Sequence, residues 1–174
     1  MGVPCKFVSP SNFDKAEVFA LDEYSARFLS NADLKKILSK GVFLDGGAAD
    51  VLCKRGFAEY IGVENIKRKK KDYVQAEVFP EVKRKDGTYI RMPLRVPVGG
   101  FWYDIHAVDD AKVMSEFRVP TGEGFTGLTY FENSLGGKVI IYPAYREWGT
   151  GFYNHTRVSI IKGLLAELSS DMVT

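Results

Sequence analysis

The fold is decided by one stretch of sequence, Gly41-Val-Phe-Leu-Asp-Gly-Gly-Ala-Ala-Asp-Val-Leu-Cys-Lys-Arg-Gly56. Its start is an apolar run of strand length, and its second half has the spacing of a short helix that Gly56 ends. A strand that passes through a glycine turn directly into a helix forms an elbow, where many α/β enzymes carry a nucleophile. This elbow holds Asp45, Gly46 and Gly47, with neither Ser nor Cys at the turn. The stretch therefore predicts the frame of an active site without its nucleophile.

Composition narrows the class of protein. The chain has 174 residues, 45% of them hydrophobic and 26% charged, which is enough for one domain, 1–174, with a sizeable core. A net charge of +2 gives no support for nucleic-acid binding, and no apolar run approaches the roughly 20 residues that span a membrane. We therefore expect neither nucleic acid nor membrane as a partner. The start of the chain lacks an apolar signal core, and nothing in the sequence assigns a compartment.

Metal and cofactor patterns are missing from the sequence. Cys5 and Cys53 are far apart and form no CxxC pair, so we expect two reduced thiols without a zinc site or a disulfide framework. No glycine-rich nucleotide-binding motif follows a strand, and Asp45 would repel a phosphate at the elbow. We expect no cofactor and no metal.

The chain around the elbow alternates strands and helices. Strands are predicted at 3–8, 16–21 and 42–44, and Ser30 with Asp33 fits a capping box at the start of a helix. We expect Gly41 to end that helix as a left-handed residue. The apolar face of the helix consists of Leu34, Ile37 and Leu38. This alternation is typical of a parallel sheet with right-handed crossovers.

The middle of the chain has a different character. Aromatic and β-branched runs separated by turn residues predict antiparallel strands, which form a β-rich insertion at about 72–132. The basic run 67–71 is expected to be a solvated surface loop. A strand at 137–142 and an amphipathic helix at 157–168 then return to the α/β pattern. The predicted insertion strands are 73–79, 88–96, 100–108, 112–119 and 127–132.

Three segments carry a family resemblance. They are Leu29-Ser-Asn-Ala-Asp-Leu-Lys-Lys-Ile-Leu-Ser-Lys-Gly-Val-Phe-Leu-Asp-Gly-Gly-Ala-Ala-Asp-Val-Leu52, Arg55-Gly-Phe-Ala-Glu-Tyr-Ile-Gly-Val63 and Tyr130-Phe-Glu-Asn-Ser-Leu-Gly-Gly-Lys-Val-Ile-Ile-Tyr142. Together they resemble the amidotransferase-like domain that follows the barrel of some bacterial glycoside hydrolases, related to the trimerisation domain of family 42 β-galactosidases. The resemblance implies a flavodoxin-like, class I glutamine-amidotransferase-like partial parallel sheet with an antiparallel β-rich insertion. It also implies that the chain is a fragment of a longer polypeptide or the product of a truncated gene.

The resemblance implies a structural role rather than catalysis. A class I amidotransferase needs a Cys on the elbow, activated by a His and a carboxylate, and here Asp45 or Gly46 takes the nucleophile position. Cys53 lies two turns further along, and neither His106 nor His155 is in a His-x-Glu arrangement. In the enzymes that the chain resembles, the carboxylates that hydrolyse glycosides belong to the barrel. We therefore expect no catalytic residue here, and a catalytic barrel and further copies of the chain as partners.

Two alternatives give the chain a ligand of its own. Exposed Trp102 and Trp148, each in an aromatic-rich run, predict a carbohydrate-binding module, although such runs also pack in cores and subunit interfaces. Asp45 is either the nucleophile or base of a small free-standing hydrolase, or simply the cap of the helix that follows it. The candidate ligand-binding residues are Asp45, Gly46, Trp102 and Trp148.

Overall fold

A computed structural model describes residues 6–69, 74–83, 89–94, 102–144 and 155–169. The helices are a 3₁₀ helix at Pro10–Lys15 and the α-helices α1 (Glu23–Phe28), α2 (Asn31–Leu38), α3 (Gly46–Lys54), α4 (Ala58–Ile61) and α5 (His155–Leu168). The strands are β1 (Val18–Leu21), β2 (Gly41–Asp45), β3 (Val63–Lys69), β4 (Ala76–Lys83), β5 (Tyr89–Leu94), β6 (Trp102–Ala107), β7 (Lys112–Val113), β8 (Glu116–Arg118), β9 (Gly124–Thr126), β10 (Thr129–Glu132) and β11 (Lys138–Tyr142). No helix in these ranges is both long and apolar enough to cross a bilayer.

A five-stranded mixed sheet organises the fold, in the order β1-β2-β11-β10-β7. The three strands β1, β2 and β11 are parallel, and Val42 of β2 lies between Phe19 and Val139. The two remaining strands, β10 and β7, continue the sheet in antiparallel pairing. The prediction of a mixed α/β fold is confirmed, as is the parallel pairing of the strand before the elbow.

Both faces of this sheet are covered, which explains the unbroken apolar run of β2. Val42 and Leu44 point into a core built from α1 to α4 and the β3–β6 ribbon, whereas Phe43 points into a second core. That second core contains Trp102, residues of α5 and strands of the β-rich segment. A strand buried on both faces has no polar alternation, as β2 shows with all five residues buried.

The helix before β2 begins as predicted and ends differently. Ser30 Oγ accepts the Asp33 N–H at 3.1 Å and donates to Asp33 Oδ2 at 2.6 Å, so the cap is confirmed. The prediction for Gly41 is wrong, because Gly41 begins β2 and has no left-handed backbone. A Cβ on Gly41 would lie 2.3 Å from the Leu168 carbonyl oxygen, so glycine is required here by the close approach of α5.

The β-rich middle forms two further sheets, with boundaries that differ from the prediction. The strands β5-β4-β8-β9 form one sheet and β3-β6 the other. Residues 67–69 are not a loop, because they continue β3 and pair with β6; residues 70 and 71 lie outside the described ranges. The predicted strand 112–119 is split into β7 and β8, which belong to different sheets. At the other end of the chain, residues 6–8 form no strand, and 3–5 are not described.

One buried side chain ties three segments together at the amino ends of β2 and β11. Asn133 donates its amide hydrogens to the carbonyl oxygens of Leu38 at 2.9 Å and Tyr60 at 3.0 Å. Its oxygen accepts from the N–H groups of Leu135 at 3.0 Å and Gly137 at 3.1 Å. All four hydrogen-bonding positions of this amide are therefore used.

Candidate functional site

The elbow lies where three parallel strands end together. Leu21 of β1 is in register with Leu44 of β2, and Tyr142 of β11 with Asp45. In open α/β sheets, ligands bind outside the carboxyl ends of such strands. This edge is therefore the first place to look for a site.

Asp45 serves as the N-cap of α3. Its Oδ1 accepts the Ala48 N–H at 2.6 Å, and only 3% of the residue is exposed. Its Oδ2 is buried and has no hydrogen-bond partner among the described residues. The helix-cap interpretation of Asp45 is confirmed, and the carboxyl has little access to a substrate.

Burial raises the pKa of Asp45 from its ordinary value of 3.8 to about 6. The negative charges of Asp22 and Glu23, at the start of α1, raise this pKa further, while the N–H groups of Ala48 and Gly47 lower it. At neutral pH the folded protein therefore keeps Asp45 ionised in a buried position, which lowers the free energy of unfolding.

The space around Gly46, one of the two candidate nucleophile positions, is filled by neighbouring atoms. A Cβ on Gly46 would lie 2.4 Å from Tyr103 Cδ2 and 2.7 Å from the Pro143 carbonyl oxygen. Two backbone hydrogen bonds hold this packing, since Gly46 N–H donates to the Ala144 oxygen at 3.0 Å and Tyr103 N–H donates to the Pro143 oxygen at 2.8 Å. No side chain, whether of Ser or of Cys, fits at Gly46 unless these groups move.

Among the described side chains, the other titratable candidates, Cys53 and His106, form no catalytic group with Asp45. Cys53 is half-buried on α3, and burial raises the pKa of its thiol to about 11, which disfavours a reactive thiolate. His106 is exposed on β6, with Nε2 at 3.9 Å from Asp104 Oδ1. Because successive side chains of a strand alternate, His106 lies on the face opposite Tyr103 and the elbow. His155 begins α5.

The aromatic candidates for ligand binding are Trp102 and Trp148. Trp102 has no exposed surface, and its ring packs edge-on against Phe117 and Phe125, with centroid distances of 6.3 and 4.8 Å. The expectation of an exposed Trp102 is therefore wrong, because Trp102 packs into the second core, on the face of β6 opposite Tyr103. Trp148 lies outside the described residues.

Sequence reasoning missed Tyr103, Asp22 and Glu23 at this edge. Tyr103 closes the elbow, but its neighbour Trp102 is also buried, on the opposite face of β6, so alternation along the strand does not single out Tyr103. Asp22 follows β1 as Asp45 ends β2, and both cap a helix: Asp22 Oδ1 accepts the Ser25 N–H at 2.8 Å. The repeated pattern of an apolar strand followed by Asp was the available signal. Within the ranges that the structure covers, no three His, Cys, Asp or Glu side chains are grouped to hold a metal ion.

Comparison with known proteins shows similarity in fold alone. No protein-family model matches the chain, and no curated protein sequence matches it. Among solved structures, the cytoplasmic protein STM1381 from Salmonella typhimurium LT2 is 12% identical with a TM-score of 0.61, over 93% of this chain and 76% of that one. The N-terminal domain of mmIFT52 is 11% identical with a TM-score of 0.56, over 97% and 84%.

A third similar structure is that of an enzyme, and the similarity covers one part of it. A catalytic mutant of Gan42B, a GH42 β-galactosidase from G. stearothermophilus, is 11% identical with a TM-score of 0.54. The similarity covers 90% of this chain but only 22% of the β-galactosidase. The chain therefore shares a mixed α/β fold with one portion of a glycoside hydrolase, with most of the protein STM1381 and with most of the mmIFT52 N-terminal domain.

Proposed function

We propose that this chain is a non-catalytic, amidotransferase-like accessory domain with a flavodoxin-like sheet, which packs beside the catalytic barrel of a glycoside hydrolase and has a role in assembly. The observation that carries the proposal is the filled elbow at Gly46. Where a class I amidotransferase needs a Cys, Tyr103 and Pro143 already occupy the space of a side chain. An elbow that keeps its strand, turn and helix but has no room for a nucleophile supports a structural use of the fold.

The glycoside hydrolase context rests on two findings. The chain is similar in fold to a portion of a GH42 β-galactosidase, and that portion is 22% of the enzyme. The sequence segments around the elbow and around Asn133 resemble the corresponding module of such enzymes. In this proposal the barrel supplies both catalytic carboxylates, and the present chain contributes only contacts.

The surroundings of Asp45 favour an accessory domain over the alternative, a free-standing hydrolase that uses this carboxylate. A general base or nucleophile must reach its substrate, whereas one oxygen of Asp45 holds the Ala48 N–H and the other is buried. The raised pKa of this group has a sufficient cause in burial and in the charges of Asp22 and Glu23.

Two measurements test the proposal. The purified chain is assayed for glutamine and aryl-galactoside hydrolysis, and no turnover above background is expected. The glycoside hydrolase barrel protein encoded nearest to this chain in its genome is then mixed with it, and association is followed by sedimentation velocity. Turnover by the chain alone, or a barrel that sediments independently of it, contradicts the proposal.

A further inference from the structure

We draw no further inference here: the strongest candidate, the apolar groove between residues 6–8, β1 and α1, carries none, because nothing in the described part of the chain shows what covers it.

Discussion

Replacing Asp45 by Asn should stabilise the protein at neutral pH and remove part of its pH dependence. The change keeps an oxygen that accepts the Ala48 N–H, so the cap of α3 is preserved. It removes an ionisable group that is 3% exposed and that lies close to the charges of Asp22 and Glu23. The effect is therefore electrostatic, with little change in packing volume.

The magnitude follows from the raised pKa. In the unfolded chain Asp45 has its ordinary pKa of 3.8, and in the folded protein about 6. Between these values the folded state holds a proton that the unfolded state has released, so the unfolding free energy falls as the pH rises. The contribution of this group is fully present below pH 3.8, and about 3 kcal/mol is lost once the pH has risen above 6. Because the new amide nitrogen must itself find an acceptor, we expect Asp45→Asn to recover about 1–3 kcal/mol at pH 7.5.

Urea unfolding at a series of pH values from 4 to 8 measures this effect as the difference between variant and wild type. The difference should be small near pH 4 and should grow through pH 6. Asp33→Asn is the control for removing a carboxylate at a helix start, because Asp33 lies in the first turn of α2, away from the elbow. An Asp45→Asn protein that is less stable than wild type at pH 7.5, with an unchanged pH profile, would refute the reasoning.

Three further changes test other parts of the structure. Asn133→Ala should lower the unfolding free energy by about 3–5 kcal/mol in urea titration, since four hydrogen bonds, two of them buried and two part-buried, are lost at about 1 kcal/mol each; a loss below 1 kcal/mol would mean that water replaces the amide. Gly46→Cys should lower the unfolding free energy by at least about 2 kcal/mol, because the new side chain clashes with Tyr103, and it should give no glutaminase activity. A variant that is both stable and active would show that the elbow still has room for a nucleophile. The Cys53 thiol, with its pKa of about 11, should react with a disulfide reagent at pH 8 at least about tenfold more slowly than in the urea-unfolded chain, and equal rates would show that burial does not protect it.

Local signals in the sequence predicted the elements around the elbow. The apolar run of β2, the capping box of Ser30 and the helix stop at Gly56 depend on neighbours within a few residues, and each has the expected structure. The role of Gly41 was missed, because its reason is the Leu168 carbonyl oxygen from the far end of the chain. The same limit applies to the basic run: residues 67–69 belong to β3 because β6 pairs with them, a partner that local charge does not reveal.

The features of the candidate site were likewise only partly predictable from the sequence. That Asp45 caps α3 followed from its place before the helix. Its raised pKa comes first from burial and then from the charges of Asp22 and Glu23, and both depend on how distant parts of the chain pack around the elbow. Trp102 was expected at the surface because an aromatic-rich run carries no sign of which alternate members face inward. Its burial depends on Phe117 and Phe125, which come from two other strands of the β-rich segment.

The position of β2 between β1 and β11 has a consequence for the order of folding. Strand β1 lies only two short helices before β2 and is already made when β2 emerges, but β11 is made only after the whole β-rich segment. The contact of Asn133 with Leu38 near the same end of the sheet spans 95 positions. Because long loops must close before such contacts form, folding should be slow, and a nascent chain should expose the apolar side chains and free edge of β2 until β11 is synthesised. Aggregation during synthesis is therefore the hazard that this topology creates, and it should be most acute for chains that stop short of β11.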